Sequence, residues 1–151
     1  SGRAGCDTAF HELGARAIAD AGFAYRRRAV VDAYCLQHPG YLKSLKSFAA
    51  HLCGLCAAVE RRDDPRAERA IWSDLRLPPN AEKPEHLPRV WSLTVATLHR
   101  AETAPAFHAA ADAWIADVWA AWSAQHGLAR QWLDHSIANL GRESSGKRHP
   151  R

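Results

Sequence analysis

The sequence predicts an all-α protein, and three observations lead to that class. Apolar residues recur at helical spacing along most of the chain, and no segment shows convincing strand alternation. Glycine or proline stands at most of the breaks between the helical segments. The 151 residues suit a single domain. We therefore expect an irregular four-helix bundle with one or two additional short helices in residues 1–141, followed by a disordered basic tail in 142–151.

The first half of the chain contains three predicted helices, over 8–21, 24–37 and 42–60. His38, Pro39 and Gly40 end the second helix, because the residue before a proline is pushed out of helical conformation. The short connection that follows favours an antiparallel hairpin of the second and third helices. The apolar stripe of the first helix comprises Phe10, Leu13, Gly14, Ala17, Ile18 and Ala21.

The second half begins with a short helix over 66–74, opened by Pro65, that can place Ile71 and Trp72 against the bundle. Four prolines in 77–88 predict an extended loop, either a lid or a strap over the core. A short turn over 94–99 precedes a long buried helix from Pro105 to Gln125. A last helix follows the break at Gly127 and stops at Gly141.

Composition and charge exclude several classes of protein. No window is long and apolar enough for a membrane span, and the N-terminus lacks the apolar segment of a signal peptide, so we expect a cytoplasmic protein. Most of the net charge of +4 lies in the basic tail, which argues against nucleic-acid binding. The four cysteines should then be reduced thiols or metal ligands. None of the common catalytic sequence signatures is present.

The nine histidines and four cysteines raise the question of which side chains converge on a metal. The string Cys35-x2-His38-x14-Cys53-x2-Cys56 has the form of a zinc site. A hairpin that turns near Gly40 separates its ends by about 12 Å along the helix axis, however. Cys53 and Cys56 are therefore predicted to be small core thiols.

The same hairpin geometry places Asp32, Cys35 and His51 within about one helical turn of one another. Helical bundles build metal sites from single side chains on different helices. His51 and His108 are the first predicted ligands, with His38 and Cys35 next, and Asp32 is a further ligand or a general base. The expected cofactor is a divalent ion, zinc or iron, that activates water or polarises a small-molecule substrate.

Each of these residues has a structural alternative, and the sequence leaves both open. The alternatives are an Asp32–Arg28 ion pair on a solvated face, a partly buried His51 with a hydrogen-bonded neighbour, a His38 that caps helix carbonyls, and a His108–Asp112 pair.

Six tryptophans are many for this length. Most are expected in the core, because a few large rings fill a bundle. Trp119 and Trp122 can instead form the aromatic wall of a ligand pocket.

The segments VVDAYCLQHP (30–39) and SFAAHLCGLCAAVE (47–60) resemble a bacterial family of small helical proteins of unknown function with VDAY-x-x-QHP and H-L-x-G-L-C-x-x-x-E patterns. The resemblance also covers LTVATL and WIADVWAAW, so it spans about residues 6 to 133. It directs attention to Asp32, Gln37, His38, His51 and Cys56. More distantly, the chain is similar to metal-dependent bundles of the DinB and YfiT type, which implies a divalent ion held by histidines.

These observations favour a metal-binding helical bundle that acts as an enzyme on a small molecule. The alternative is a non-catalytic interaction or ligand-binding module with structural histidines and a tryptophan-lined pocket. In either case we expect neither nucleic acid nor membrane as a partner, and a homodimer is left open.

Overall fold

A computed structural model describes residues 3–142, and it confirms the all-α class. Within that range the chain forms seven α-helices and no β-strand. Five helices have ten or more residues, one more than the four main helices expected. The helices are α1 (Arg3–Ala19), α2 (Arg27–Leu36), α3 (Leu45–Glu60), α4 (Pro65–Trp72), α5 (Val95–His99), α6 (Ala104–Ala121) and α7 (His126–Ala138).

Capping residues explain where several helices begin. The side chains of Ser44, Asp64 and Thr103 accept hydrogen bonds from the first free backbone N–H groups of α3, α4 and α6. Helix α2 begins three residues later than predicted, because Asp20 caps a separate 3-10 turn over Ala21–Phe23. Gly141 has φ of +82°, the left-handed conformation that suits the predicted stop.

Helix α3 lies at the centre of the bundle, in contact with α2, α4, α6 and α7. Its Phe48, Leu52 and Leu55 are completely buried. Phe48 contacts the rings of Trp122 and Trp132 from the other side of the core. Burial of this many large side chains is the main source of stability for a bundle of this size.

The predicted stripe of α1 is wrong at Ile18, whose side chain is 87% exposed. The buried side of α1 is set by Ala9 and Leu13. At about 100° of rotation per residue, Ile18 lies about 180° from Ala9 and about 140° from Leu13 around the helix. The side chain of Ile18 therefore points away from the buried side of α1 and into solvent.

The proline-rich segment 77–88 contains no helix, as predicted. Two hydrogen bonds hold this segment against the bundle. Lys83 Nζ donates to the carbonyl of Leu42, 2.9 Å away, and Gln125 Nε2 donates to the carbonyl of His86, 3.5 Å away. These contacts favour the strap over the lid.

No α-helix in residues 3–142 has the length and apolar character needed to cross a membrane. The predicted disordered tail lies outside the described residues, apart from Arg142.

Candidate functional site

A completely buried carboxylate and a histidine form the centre of the candidate site. Asp32 on α2 has no exposed side-chain area, and its Oδ1 lies 2.9 Å from Nδ1 of His51 on α3. Arg28, one turn before Asp32, donates from Nε to both carboxylate oxygens at 3.1 and 3.2 Å. An ionised carboxylate can only accept hydrogen bonds, so the Nδ1–H group of His51 is the donor to the Asp32 carboxylate.

The hairpin of α2 and α3 brings this Asp32–His51 pair together, as the axial levels of the two helices predicted. Gly54, one turn after His51, makes the close approach possible. A β-carbon at Gly54 would lie only 2.2 Å from Oδ2 of Asp32, far inside van der Waals contact. The glycine therefore provides the space that the carboxylate occupies.

Burial raises the pKa of the Asp32 carboxyl above its usual value, because desolvation penalises the charged form. The hydrogen bond from His51 and the positive charge of Arg28 act in the opposite direction. Such a carboxylate fixes the tautomer of the histidine, so that Nε2 carries a lone pair. No group in residues 3–142 forms a hydrogen bond with Nε2 of His51.

A groove between α2, α3 and α4 is lined by His51 but not by the buried Asp32, and we call it the arginine groove. Its volume is about 900 Å³, within the range of small-molecule sites. His51 and Gly54 line its floor, and Ile71 and Trp72 of α4 line one wall. Five arginines surround it: Arg26, Arg27, Arg28, Arg61 and Arg62.

Some of these arginines are neutralised, and others keep their charge available. Arg26 pairs with Asp112 at 2.7 Å, and Arg61 pairs with Asp134 at 2.6 Å. Within the described part of the chain, Arg27 and Arg62 form no ion pair with a carboxylate. Glu68 is the only acidic side chain that lines the groove there. The groove is therefore electropositive.

Trp72 is a residue whose position the sequence did not predict correctly. The pattern of α4 places it against the bundle, but its side chain is 68% exposed at the rim of the arginine groove. The Arg28 guanidinium lies 5.4 Å from the centre of its ring, within the range of a cation–π contact. Helix α4 buries Ala67 and Ala70 instead, and this turns the last residue of the helix outward.

Two of the predicted metal ligands take structural roles away from His51. His108 donates from Nε2 to the carbonyl of Gly22 at 2.7 Å and stacks on Tyr25. His38 donates from Nδ1 to the carbonyl of Tyr34 at 2.6 Å, which is the capping alternative that the sequence left open.

Cys35 is buried close to Asp32, and desolvation raises the pKa of its thiol to about 12. Cys53 and Cys56 are completely buried, which confirms their prediction as core thiols. Among residues 3–142, no three side chains of His, Cys, Asp or Glu are placed to hold one metal ion.

Trp119 and Trp122 are buried in the core, and neither lines the arginine groove. Trp119 stacks on His126 and donates from Nε1 to Glu60 at 3.3 Å. Trp122 contacts Phe48. The aromatic side chain at the groove is Trp72.

The Asp32–Arg28 pair exists, but on a buried carboxylate and not on a solvated face. The predicted His108–Asp112 pair is replaced, since Asp112 accepts from Arg26 and Tyr25. Gly54 was the signal in the sequence that could have located the site. A glycine inside a long helix costs about 1 kcal/mol, so its presence calls for a structural reason.

Comparison with known proteins supports the expected membership of a family of unknown function, and it does not show the similarity to metal-dependent bundles of the DinB and YfiT type. No curated protein and no solved structure matches the chain. A family description matches residues 1–123, a range that includes the Asp32–His51 pair and every residue of the arginine groove. The chain belongs to DUF5946, a family of unknown function.

Proposed function

We propose that this protein is an enzyme acting on a small molecule, with His51 as its general base and Asp32 as the residue that orients the imidazole. The observation that carries the proposal is the contact between Nδ1 of His51 and the buried Asp32 carboxylate, at the floor of a groove that admits a small molecule.

The proposed proton transfer follows from the tautomer of His51. With its Nδ1 proton held by Asp32, His51 accepts a proton at Nε2, and the buried carboxylate stabilises the imidazolium that results. A base positioned in this way accelerates proton transfer by about 10² to 10⁴. The hydrogen bonds from Arg28 to both oxygens further restrain the Asp32 carboxylate.

Hydrolysis of p-nitrophenyl acetate tests whether His51 has this reactivity. We expect the wild-type protein to release p-nitrophenol faster than His51→Gln and Asp32→Asn. His11→Gln is the control, because His11 is exposed on α1 and does not line the groove. Equal rates for the wild type and His51→Gln would overturn the proposal and favour a non-catalytic ligand-binding module.

A divalent metal at His51 is the second candidate, and it retains the expectation of zinc or iron. The specific observation in its favour is the Asp32 carboxylate behind the imidazole, an arrangement common among metal-bound histidines. Glu68 lines the same groove and is the only Asp, Glu or Cys among its described lining residues, which makes it the candidate for a second ligand. Calorimetric titration with Zn²⁺ tests this candidate. Stoichiometric binding that is lost in His51→Gln and kept in His11→Gln would support it, and identical binding by all three proteins would exclude His51 as a ligand.

A further inference from the structure

The arginine groove combines two recognition elements that point to one class of ligand. Its lining is mainly apolar, and its single large aromatic ring, Trp72, stands exposed at the rim. Its polar side chains are five arginines, His51 and Glu68. We propose that the groove binds a planar aromatic ring that carries a carboxylate or phosphate group. This inference rests on the proposed function, since it names the substrate class of the same groove.

Arg28 is the residue that connects the two elements. Its Nε is occupied by the Asp32 carboxylate, and its guanidinium carbon lies over the Trp72 ring. Neither of its Nη atoms forms a hydrogen bond with another residue in 3–142. A guanidinium can serve two anions at once, because its five N–H groups point along different edges of one plane. The Nη edge of Arg28 is therefore available to the anionic group of a ligand.

Arg62 supplies a second positive charge from the turn after α3. One of its Nη atoms donates to the hydroxyl of Tyr25 at 3.1 Å, which positions the side chain without neutralising it. Arg28 and Arg62 line the same groove, so both positive charges face a ligand bound there. A carboxylate or phosphate accepts hydrogen bonds from two guanidinium groups with little strain.

Trp72 provides the surface of the protein on which the aromatic ring of the ligand can stack. Trp72 is the last residue of α4, and most of its side chain is in water. Stacking of an aromatic ring on an exposed tryptophan face buries apolar area from both partners. Ile71, Ala58 and His51 line the same groove as Trp72. A ligand ring stacked on Trp72 therefore occupies the groove that contains the proposed base.

Calorimetry and two-dimensional NMR with three probes test this inference. Phenyl phosphate and benzoate carry the ring and the anion, and benzyl alcohol carries the ring alone. We expect both anions to bind and to shift the indole N–H of Trp72 and the amide of Gly54, with benzyl alcohol bound at least about tenfold more weakly. The comparison of the two anions shows which group the arginines prefer.

Two substitutions locate the site. Arg28→Met and Trp72→Ala should each weaken phenyl phosphate binding by about tenfold or more. Arg69→Met is the matched control, because Arg69 is exposed on α4 and does not line the groove, and it should leave binding unchanged. Equal affinity for benzyl alcohol and phenyl phosphate would overturn the inference. Three other results would also overturn the inference. They are phenyl phosphate binding that neither substitution weakens, no binding of either anion at millimolar concentration, and tighter binding of an oligothymidylate, a single-stranded DNA, than of the aromatic anions.

His51→Gln separates this inference from the proposed function. The variant should lose ester hydrolysis and still bind phenyl phosphate more tightly than benzyl alcohol, because Arg28 and Trp72 are intact. Retained hydrolysis in that variant would contradict the catalytic role of His51 and would leave the proposed ligand class unaffected. If hydrolysis depends on His51 but the protein shows no preference for aromatic anions, then the proposed ligand class is wrong and the catalytic role of His51 is unaffected.

Discussion

The Nδ1 atom of His51 lies 2.9 Å from Oδ1 of Asp32, although 19 positions of chain separate the two residues. The contact joins α2 to α3 and therefore depends on the register of that hairpin. Asp32 is completely buried, and its partners are one histidine and one arginine. A buried charge is tolerated only where such partners are in place. The pair thus connects the stability of the hairpin with the chemistry of the site.

Asp32→Asn should lower the free energy of unfolding by about 2 to 4 kcal/mol. The asparagine has nearly the same shape, but it offers only one acceptor oxygen to the donors that the carboxylate serves. It also places an N–H₂ group next to donors from Arg28 or His51, which leaves buried polar groups unsatisfied. Urea denaturation followed by circular dichroism measures the change.

Asp134→Asn is the control for this prediction. It breaks another Asp–Arg pair, the contact with Arg61 at 2.6 Å, but Asp134 is on the surface. Its effect should lie within about 0.5 kcal/mol, since exposed ion pairs contribute little. Equal losses from both substitutions would mean that burial of Asp32 has no special energetic role.

The raised pKa of Asp32 predicts an unusual dependence of stability on pH. The folded protein holds the proton on this carboxyl at pH values where the unfolded chain has released it. The contribution of Asp32 to the free energy of unfolding is therefore fully present below its ordinary pKa of 3.8. It is lost as pH rises through the higher pKa of the folded protein. Glu60 and Asp112, whose pKa values are lowered by arginine partners, act in the opposite direction.

The contribution of Asp32 is isolated by comparison with Asp32→Asn across the same pH range. The difference in unfolding free energy, wild type minus variant, should decrease as pH rises above about 3.8, because only the wild type carries the titrating group. A difference that increases with pH would show that Arg28 and His51 outweigh the desolvation of Asp32.

Much of the fold could be predicted from the sequence, because local signals determine it. Helical periodicity, the capping residues and the break at His38 to Gly40 predict an antiparallel hairpin of α2 and α3. That hairpin in turn places Asp32 opposite His51. Both steps depend on the constant rise of an α-helix, which can be applied without knowledge of side-chain packing.

The arginine groove could not be predicted in the same way. Arg26 to Arg28 and Arg61 to Arg62 are over thirty positions apart, and net charge does not show that they share one surface. The exposure of Trp72 depends on how α4 rotates against α3, which periodicity over eight residues does not fix. The sequence groups His108 with His51 because both lie near apolar stripes, but a stripe does not specify which helices meet.

The cysteines should differ strongly in their reaction with Ellman's reagent. The reactive species is the thiolate, and burial raises the pKa of Cys35 and Cys56 to about 12 and that of Cys53 still higher. Cys6 is only half-buried on α1. We therefore expect one fast thiol in the native protein and four after denaturation.

Cys6→Ser identifies the fast thiol. This variant should lose the fast phase and keep three thiols that react only when the protein unfolds. A fast phase that persists in Cys6→Ser would show that one of the three core thiols is reached by solvent in the native state.

Gly54→Ala should destabilise the protein and disrupt the candidate site together. In an ordinary helix interior, alanine is more favourable than glycine by about 1 kcal/mol. At Gly54 the new methyl group would lie 2.2 Å from Oδ2 and 2.8 Å from Cγ of Asp32. The carboxylate must then move, and overpacking of this kind costs about 1 to 3 kcal/mol. We expect a lower free energy of unfolding, together with slower ester hydrolysis.

Gly127→Ala is the matched control, because Gly127 is also helical but a β-carbon there would meet no side chain of the described residues within 4 Å. It should leave hydrolysis unchanged and raise stability by up to about 1 kcal/mol. The two substitutions are chemically identical, so opposite signs isolate the contact with Asp32. If both stabilise the protein and leave hydrolysis intact, then the carboxylate has room to move, and its position does not determine the reactivity of His51.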